Sequence, residues 1–253
     1  MGGEQKDRLT AQVAPPHVAC GPAVPGASLA LHGALFWSNI MPDAVAQVDL
    51  VLDGERVSFL GIGFHDKVNF SSHTLPSFPS PFPTPPIKTI ITQPSRRHEL
   101  IPSSTQTWGS SPIPSTTIYL RGHGRAGQWS VVWHHFIDSS DPFAPFSSIY
   151  IARQGEIVYA SCTGVEVRPF MLPGPYPASA IGMNVSGYSI EVDAGLLGRF
   201  EFVARAARTV GEECIGGEGG CGRWIGEFEG GFVEAERDVG VALWELIGSG
   251  DGA

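Results

Sequence analysis

The stretch Ala46-Gln47-Val48-Asp49-Leu50-Val51-Leu52 alternates apolar and polar residues, runs into Asp53-Gly54, and resumes as Val57-Ser58-Phe59-Leu60. Alternation with a period of two puts one face of an extended chain into a core. Asp-Gly readily adopts the positive φ angles of a tight hairpin turn. The segment therefore reads as a β-hairpin. Beyond it, Phe59-Leu60-Gly61-Ile62-Gly63-Phe64-His65-Asp66-Lys67 carries an apolar run through two glycines to an aromatic ring and three consecutive titratable side chains. Glycine opens backbone conformations closed to other residues, so the strand over Val57–Leu60 is expected to end there and to present His65, Asp66 and Lys67 at the rim of a cavity. The competing reading is a solvated turn in which Asp66 and Lys67 face water.

The rest of the chain carries the same signature. Of 253 residues, 42% are hydrophobic, enough for one large β domain or two small ones, while only 16% are charged and Gly (32) and Pro (21) are abundant. That balance favours short strands joined by tight turns. Strands are expected at 117–122, 129–135, 149–153, 157–161, 165–168, 188–192, 199–205, 224–228 and 241–246, with Gly122-His123-Gly124-Arg125-Ala126-Gly127 and Gln154-Gly155-Glu156 as turns. Phe200, Phe202 and Ala204 on one face favour a strand over a helix at 199–205. The fold class is all-β, a sandwich or barrel.

A net charge of −9 opposes binding to a nucleic-acid backbone, and a small neutral or apolar ligand suits the composition better. The charged N-terminus lacks the apolar core of a secretion signal and no apolar run reaches the length of a membrane span. The expected location is therefore cytoplasmic, with Cys20, Cys162, Cys214 and Cys221 as reduced thiols. Val68–Gln106, rich in Ser and Thr and with eight prolines, shows no sustained period and reads as a disordered surface insert.

No nucleophile elbow, zinc-protease helix, phosphate loop or dinucleotide fingerprint is present. His134 and His135 are neighbours on a strand and face opposite ways, so at most one enters any cavity. His123, between two glycines, reads as an exposed turn residue. Trp129 and Trp133 share a face and, with Phe36, Trp37 and Trp108, either line an apolar pocket or belong to the core.

Phe-x-Gly-x-Gly-Phe-His-Asp-Lys at 59–67, Trp108-Gly109 and Gly122-His123-Gly124-Arg125 together resemble the signature of a lipocalin-like β family. Phe36-Trp37-Ser38-Asn39-Ile40-Met41-Pro42-Asp43-Ala44, Ile157–Cys162, Val165–Pro169 and Gly240–Glu245 are similar to its other motifs. That family includes fungal Diels-Alderases and, more distantly, bacterial carotenoid 1,2-hydratases. The resemblance implies a lipocalin-like antiparallel barrel over 107–250, preceded at 1–67 by the remnant of a second, truncated β domain, with the pocket between the two. In the family the His-Asp-Lys motif runs almost directly into Asn-Trp-Gly, so 68–106 also reads as translated intron, beginning on a Val (GT) and ending on a Gln (AG) codon.

The activity implied is an intramolecular [4+2] cycloaddition of a small-molecule polyene in fungal secondary metabolism, which requires no cofactor or metal. Lys67 or His65 would donate to the substrate carbonyl and Asp66 would orient one of them, unless it only caps the turn. Trp37, Asn39, Trp108, His123 and Trp133 would shape the binding pocket. The alternatives are a hydratase or isomerase acting on an isoprenoid alkene, with Asp66 or His65 as proton donor, and a non-catalytic binder of apolar metabolites. Oligomeric state is left open.

Overall fold

The computed structural model describes residues 6–32, 35–52, 54–70, 103–108, 116–138, 145–170, 187–211 and 221–248. Within them the regular secondary structure is β strand, apart from one 3-10 turn at Gly195–Leu197. No helix among the described residues is long and apolar enough to cross a membrane.

The first sheet holds β1 (Lys6–Ala14), β2 (His17–Val18), β3 (Gly21–Pro22), β4 (Ala30–His32), β5 (Leu35–Leu52), β6 (Glu55–Phe70) and β7 (Ser103–Trp108). Its spine is the β5–β6 hairpin, closed by Gly54 at φ 85°. The hairpin is longer than the alternating stretch suggests. Instead of ending at Gly61, β6 runs on through His65, Asp66 and Lys67 to Phe70, because β5 pairs with it on one side and β7, in parallel, on the other. Residues 68–70 and 103–106 of the Ser/Thr/Pro tract are thus strand, and 71–102 lie outside the described residues.

The second sheet holds β8 (Thr116–Ala126), β9 (Trp129–Asp138), β10 (Phe146–Arg153), β11 (Glu156–Ser161), β12 (Val165–Pro169), β13 (Gly187–Asp193), β14 (Arg199–Gly211), β15 (Cys221–Phe232) and β16 (Asp238–Gly248). In the order β11-β10-β9-β8-β16-β15-β14-β13-β12, all antiparallel, it curls into a nearly closed barrel. Every strand expected here forms, usually with a few more residues at each end. The turn between β8 and β9 falls at Gly127-Gln128, so Gly122-His123-Gly124-Arg125 is strand and His123 is buried.

The glycines of that motif serve packing. A Cβ on Gly122 would stand 2.0 Å from the Trp133 ring and one on Gly124 2.6 Å from Phe228. Gly in a strand commonly marks such a close approach. The two aromatic rings, stacked 5.5 Å apart, can therefore lie flat against β8. With Trp244, Tyr188, Phe200 and Phe202 they belong to one large buried cluster inside the barrel. Truncating a ring in such a core typically costs about 3–5 kcal/mol.

The outer faces of β8, β9 and β10 pack against the first sheet. Ala14, Ala19, Leu31 and Trp37 meet Tyr119, Val132, Phe136 and Tyr150 in a second apolar cluster. Three ties cross this junction. Tyr150 Oη donates to the Pro15 carbonyl at 2.8 Å. Asp43, wholly buried, accepts from Arg125 Nε at 2.8 Å, from Arg125 Nη2 and from Ser130 Oγ. Cys20 and Cys162 form a disulfide, contrary to the expected free thiols. Their 142-residue separation hid the pairing, which exists only because the sheets bring the β2–β3 turn beside the end of β11.

Candidate functional site

One register row crosses the outer face of the barrel. On neighbouring strands β15, β16, β8, β9 and β10, Arg223 stands opposite Glu245, Glu245 opposite Arg121, Arg121 opposite His134, and His134 opposite Ser148. Directly opposed residues on one face of a sheet are close enough to interact, and these do. Arg223 donates to Glu245 Oε2 from Nε at 3.1 Å and Nη2 at 2.6 Å, and Arg121 Nε donates to Oε1. His134 Nδ1 lies 3.3 Å from Ser148 Oγ.

Burial decides the protonation states along this row. Burial pushes the Glu245 carboxyl up, but Arg121 and Arg223 together outweigh it and hold the group below its ordinary value. Glu245 is therefore a carboxylate, and Arg121 beside it a guanidinium at any accessible pH. His134 goes the other way: burial first, then the charge of Arg121 and the proximity of His17, drive its pKa well below 6.5 and keep the ring neutral. Its Nε2 has no hydrogen-bond partner among the described residues.

The first sheet supplies the opposite wall. A narrow cavity between the sheets is lined by Trp37 and Asn39 of β5, Phe64 of β6, Arg121, Gly122 and His123 of β8, Val132 and His134 of β9, and Leu243 and Glu245 of β16. It leaves about 10 Å³ between the side chains, room for the centre of roughly one water molecule. The Trp37 ring packs edge-on against His134 at 4.2 Å, and His123 tilts against Phe64 at 4.7 Å. Ile62, Phe64 and Leu243 close one side as a small apolar cluster. Among the described residues no group of three or more His, Cys, Asp or Glu is placed to hold a metal ion.

The structure brings Trp37, Asn39 and His123 together in this cavity, three of the residues singled out from sequence. Trp133 faces the other way, into the barrel, stacked on Phe228. His65 is half-buried next to Phe64 but is not among the cavity walls. The backbones of Asp66 and Lys67 stand opposite Asn39 and Ser38, and that of Trp108 beside Asn69; the side chains of these three lie outside the described residues.

Arg121, His134 and Glu245 are cavity residues that the motif reading passed over as site candidates. The available signal is a charge set in an apolar run: Arg121 after Ile118-Tyr119-Leu120, and Glu245 within Ala242-Leu243-Trp244-Glu245-Leu246. Charged residues are almost never fully buried unless paired.

No protein-family model matches the chain. In sequence it is similar to two curated fungal proteins, the quinolone epoxide rearrangement protein asqO of Emericella nidulans, 27% identical over 94% of the chain, and penF of Penicillium thymicola, 28% identical over 93%. The chain spans about half the length of these relatives, 54% of each. Among solved structures it is similar to CghA, with a TM-score of 0.59 and 16% identity over 99% of this chain and 62% of that one, and to CghA with Sch210972, with a TM-score of 0.54. An AttH protein from Nitrosomonas europaea matches at a TM-score of 0.51 and 12% identity, over 96% of this chain and 61% of that one. At these identities the structural likeness concerns the fold, which is the two-sheet, lipocalin-like β architecture expected from the motifs.

Proposed function

We propose that the chain catalyses an intramolecular rearrangement or cyclisation of an apolar, oxygen-bearing small molecule in fungal secondary metabolism, with the cavity between the sheets gripping the reacting oxygen. The observation that carries this reading is the pair formed by Arg121, cationic and fixed by Glu245, and neutral His134 with its Nε2 unpartnered, both on a wall faced by Trp37 and Asn39. A guanidinium held in a dry site can stabilise negative charge that develops on a carbonyl or epoxide oxygen, at no cost of reorganisation during the reaction. The indole face of Trp37 suits positive charge that develops on the adjacent carbon. Neutral His134 can hydrogen-bond a substrate group through Nε2 and so orient it against Arg121.

Two reactions need these parts. In the [4+2] cycloaddition implied by the sequence motifs, Arg121 polarises the carbonyl that activates the dienophile, and the protein holds diene and dienophile in near-attack geometry. In the opening of an epoxide, the carbon–oxygen bond breaks with its electron pair on oxygen, as an alkoxide that the same guanidinium stabilises, while a neighbouring group of the substrate migrates with its bonding pair to the carbon left electron-poor, so that the product is an isomer. Similarity over most of the chain to proteins named for quinolone epoxide rearrangement favours the second. His65, Asp66 and Lys67 then have a supporting role on β6, where the backbone of Asp66 stands opposite Asn39.

Incubation with a carbonyl-activated linear polyene and, separately, with a quinolone epoxide tests the reading. Conversion of either to an isomer of equal mass is expected, the epoxide faster, with a loss of about 10²–10³ in kcat for Arg121→Met. Product heavier by one water would assign a hydratase instead. Binding without turnover would assign a carrier, and full activity in the Arg121→Met protein would remove the cavity from the chemistry.

A further inference from the structure

The cavity between the sheets is too narrow for a substrate as it stands. Its volume of about 10 Å³ is far below the roughly 300–1,000 Å³ of small-molecule sites, so a ring-sized molecule enters only if the sheets part. The ties across the junction differ in kind. The Asp43–Arg125 ion pair is permanent, and Arg125 lies four residues along β8 from Arg121, roughly 13 Å from the cavity. The Tyr150–Pro15 contact is a single hydrogen bond. The Cys20–Cys162 disulfide is covalent, yet thiol exchange can open and reclose it.

The disulfide stands where opening matters. Ser148 pairs with His134, and Ile149 with Ser161, so Cys162, next after Ser161, comes level with the row of Arg121, His134 and Ser148. On the other sheet Cys20 follows β2, whose His17 and Val18 pair with Asn39 and Ser38 of β5, and Asn39 is a cavity wall. Because β2 is only two residues long, its ladder pairing alone holds it weakly. Packing carries the link inward. Ala19 and Trp37 share the buried cluster against which Cys162 packs, and His17 stacks on Tyr150 at 3.8 Å and meets Trp37 edge-on at 4.9 Å. Cys20 is exposed and Cys162 half-buried, which places the bridge within reach of a dissolved thiol.

We infer that Cys20–Cys162 is a redox latch on the cavity. The disulfide form holds β2 and β5 against the barrel and keeps the cavity shut; the dithiol form lets the first sheet part from the barrel at this edge, while the Asp43–Arg125 pair keeps the two together. A dithiol reductant drives the change. It gives up two electrons and two protons, the S–S bond breaks to two thiols, and the reductant closes to its own disulfide. The inference rests on the cavity being the substrate site proposed above, but its primary readout is opening of the junction and not turnover.

The test compares amide hydrogen exchange, read by peptide mass spectrometry, in the full chain with and without dithiothreitol. Reduction is expected to raise exchange at least tenfold over 16–22 and 36–40 and to leave 241–246, in the barrel, unchanged. The Cys20→Ser/Cys162→Ser protein should exchange like the reduced chain under both conditions. Offered the quinolone epoxide, the reduced chain should convert it at least tenfold faster than the disulfide form. Faster exchange over 16–22 and 36–40 with no conversion in either form would support the latch and count against the proposed reaction alone. Alkylation of Cys20 and Cys162 by iodoacetamide before any reductant is added, exchange that does not respond to reduction, an equal rise over 241–246, the same response in the double variant, or equal and measurable conversion by the two forms each overturns the inference.

Discussion

Lowering the pH from 7 to 5 is expected to destabilise this chain by about 4 kcal/mol through two buried histidines alone. Burial, with the nearby His123 adding to it against the Val18 hydrogen bond, lowers His17 to about 3, and burial lowers His135 to about 4, both from an ordinary 6.5. The folded pKa lies below the unfolded one, so the stabilising contribution is complete above about pH 6.5 and is lost as the pH falls toward 3–4. Between pH 7 and 5 the unfolded chain takes up nearly two protons that the folded chain refuses, and each is worth about 1.4 kcal/mol per pH unit below 6.5. His134 adds to the loss with the same sign. Glu245 does not contribute in this window, because a carboxylate held below its ordinary value loses its stabilising effect only as the pH falls below about 4.5. Against a typical total of about 5–15 kcal/mol, the loss should be visible in urea denaturation followed by far-ultraviolet circular dichroism at pH 7, 6 and 5. His135→Gln, which removes one titrating ring beside Ser147, should cut the pH-dependent loss by about 2 kcal/mol. A wild-type difference below about 1 kcal/mol, or an unchanged pH slope in His135→Gln, would refute the claim that these rings are held neutral by burial.

Three further outcomes follow from the packing. Gly122→Ala places a methyl group 2.0 Å from the Trp133 ring, inside a filled barrel, and should cost about 3 kcal/mol or more in chemical denaturation; a loss below about 1 kcal/mol would mean the ring can move aside. Cys20→Ser opens a link spanning 142 residues and should lower stability by up to about 5 kcal/mol on the chain-entropy account, an effect that vanishes when both proteins are compared under a reductant. Asp43→Asn leaves the part-buried Arg125 without its charge partner and should cost about 3 kcal/mol. Because it loosens the junction between the sheets, amide exchange at Trp37 and Asn39 should rise more than at Trp244 in the barrel core.

Much of the fold was legible because its strands obey a strict period of two. Ile190 and Val192, Phe200 and Phe202, and Trp224 and Phe228 face the barrel core as their spacing requires, and Gln154-Gly155, at φ 50° and 88°, makes the expected turn. In local sequence Gly61, Gly63, Gly122 and Gly124 read as punctuation, whereas each sits inside a strand. At Gly122 and Gly124 the missing side chain makes room for a ring on another strand, a reason that lies at long range and leaves no trace in local sequence. The disulfide was hidden in the same way.

Where the site would form was legible only in part, since it depends on which face of each strand meets the other sheet. Asp43 and Arg125 belong to two of the motifs that carried the family resemblance, and they meet as one buried pair between the sheets. Motif identity thus reports the clamp as much as the chemistry. Among the described residues the barrel interior holds a large buried apolar cluster, and in the proposed reaction the substrate uses the outer face of β8, β9 and β16, where Arg121, His134 and Glu245 stand. Desolvated charges persist there only because they are paired along one register row, and the row lies wholly on the barrel. Among the described residues the first sheet contributes the uncharged Trp37, Asn39 and Phe64 to the cavity wall. In the proposed reaction the barrel therefore determines reactivity and the first sheet determines how the substrate is oriented. Changes at Asn39 or Phe64 should then redistribute products, while Arg121→Met should slow the formation of all of them by the same factor.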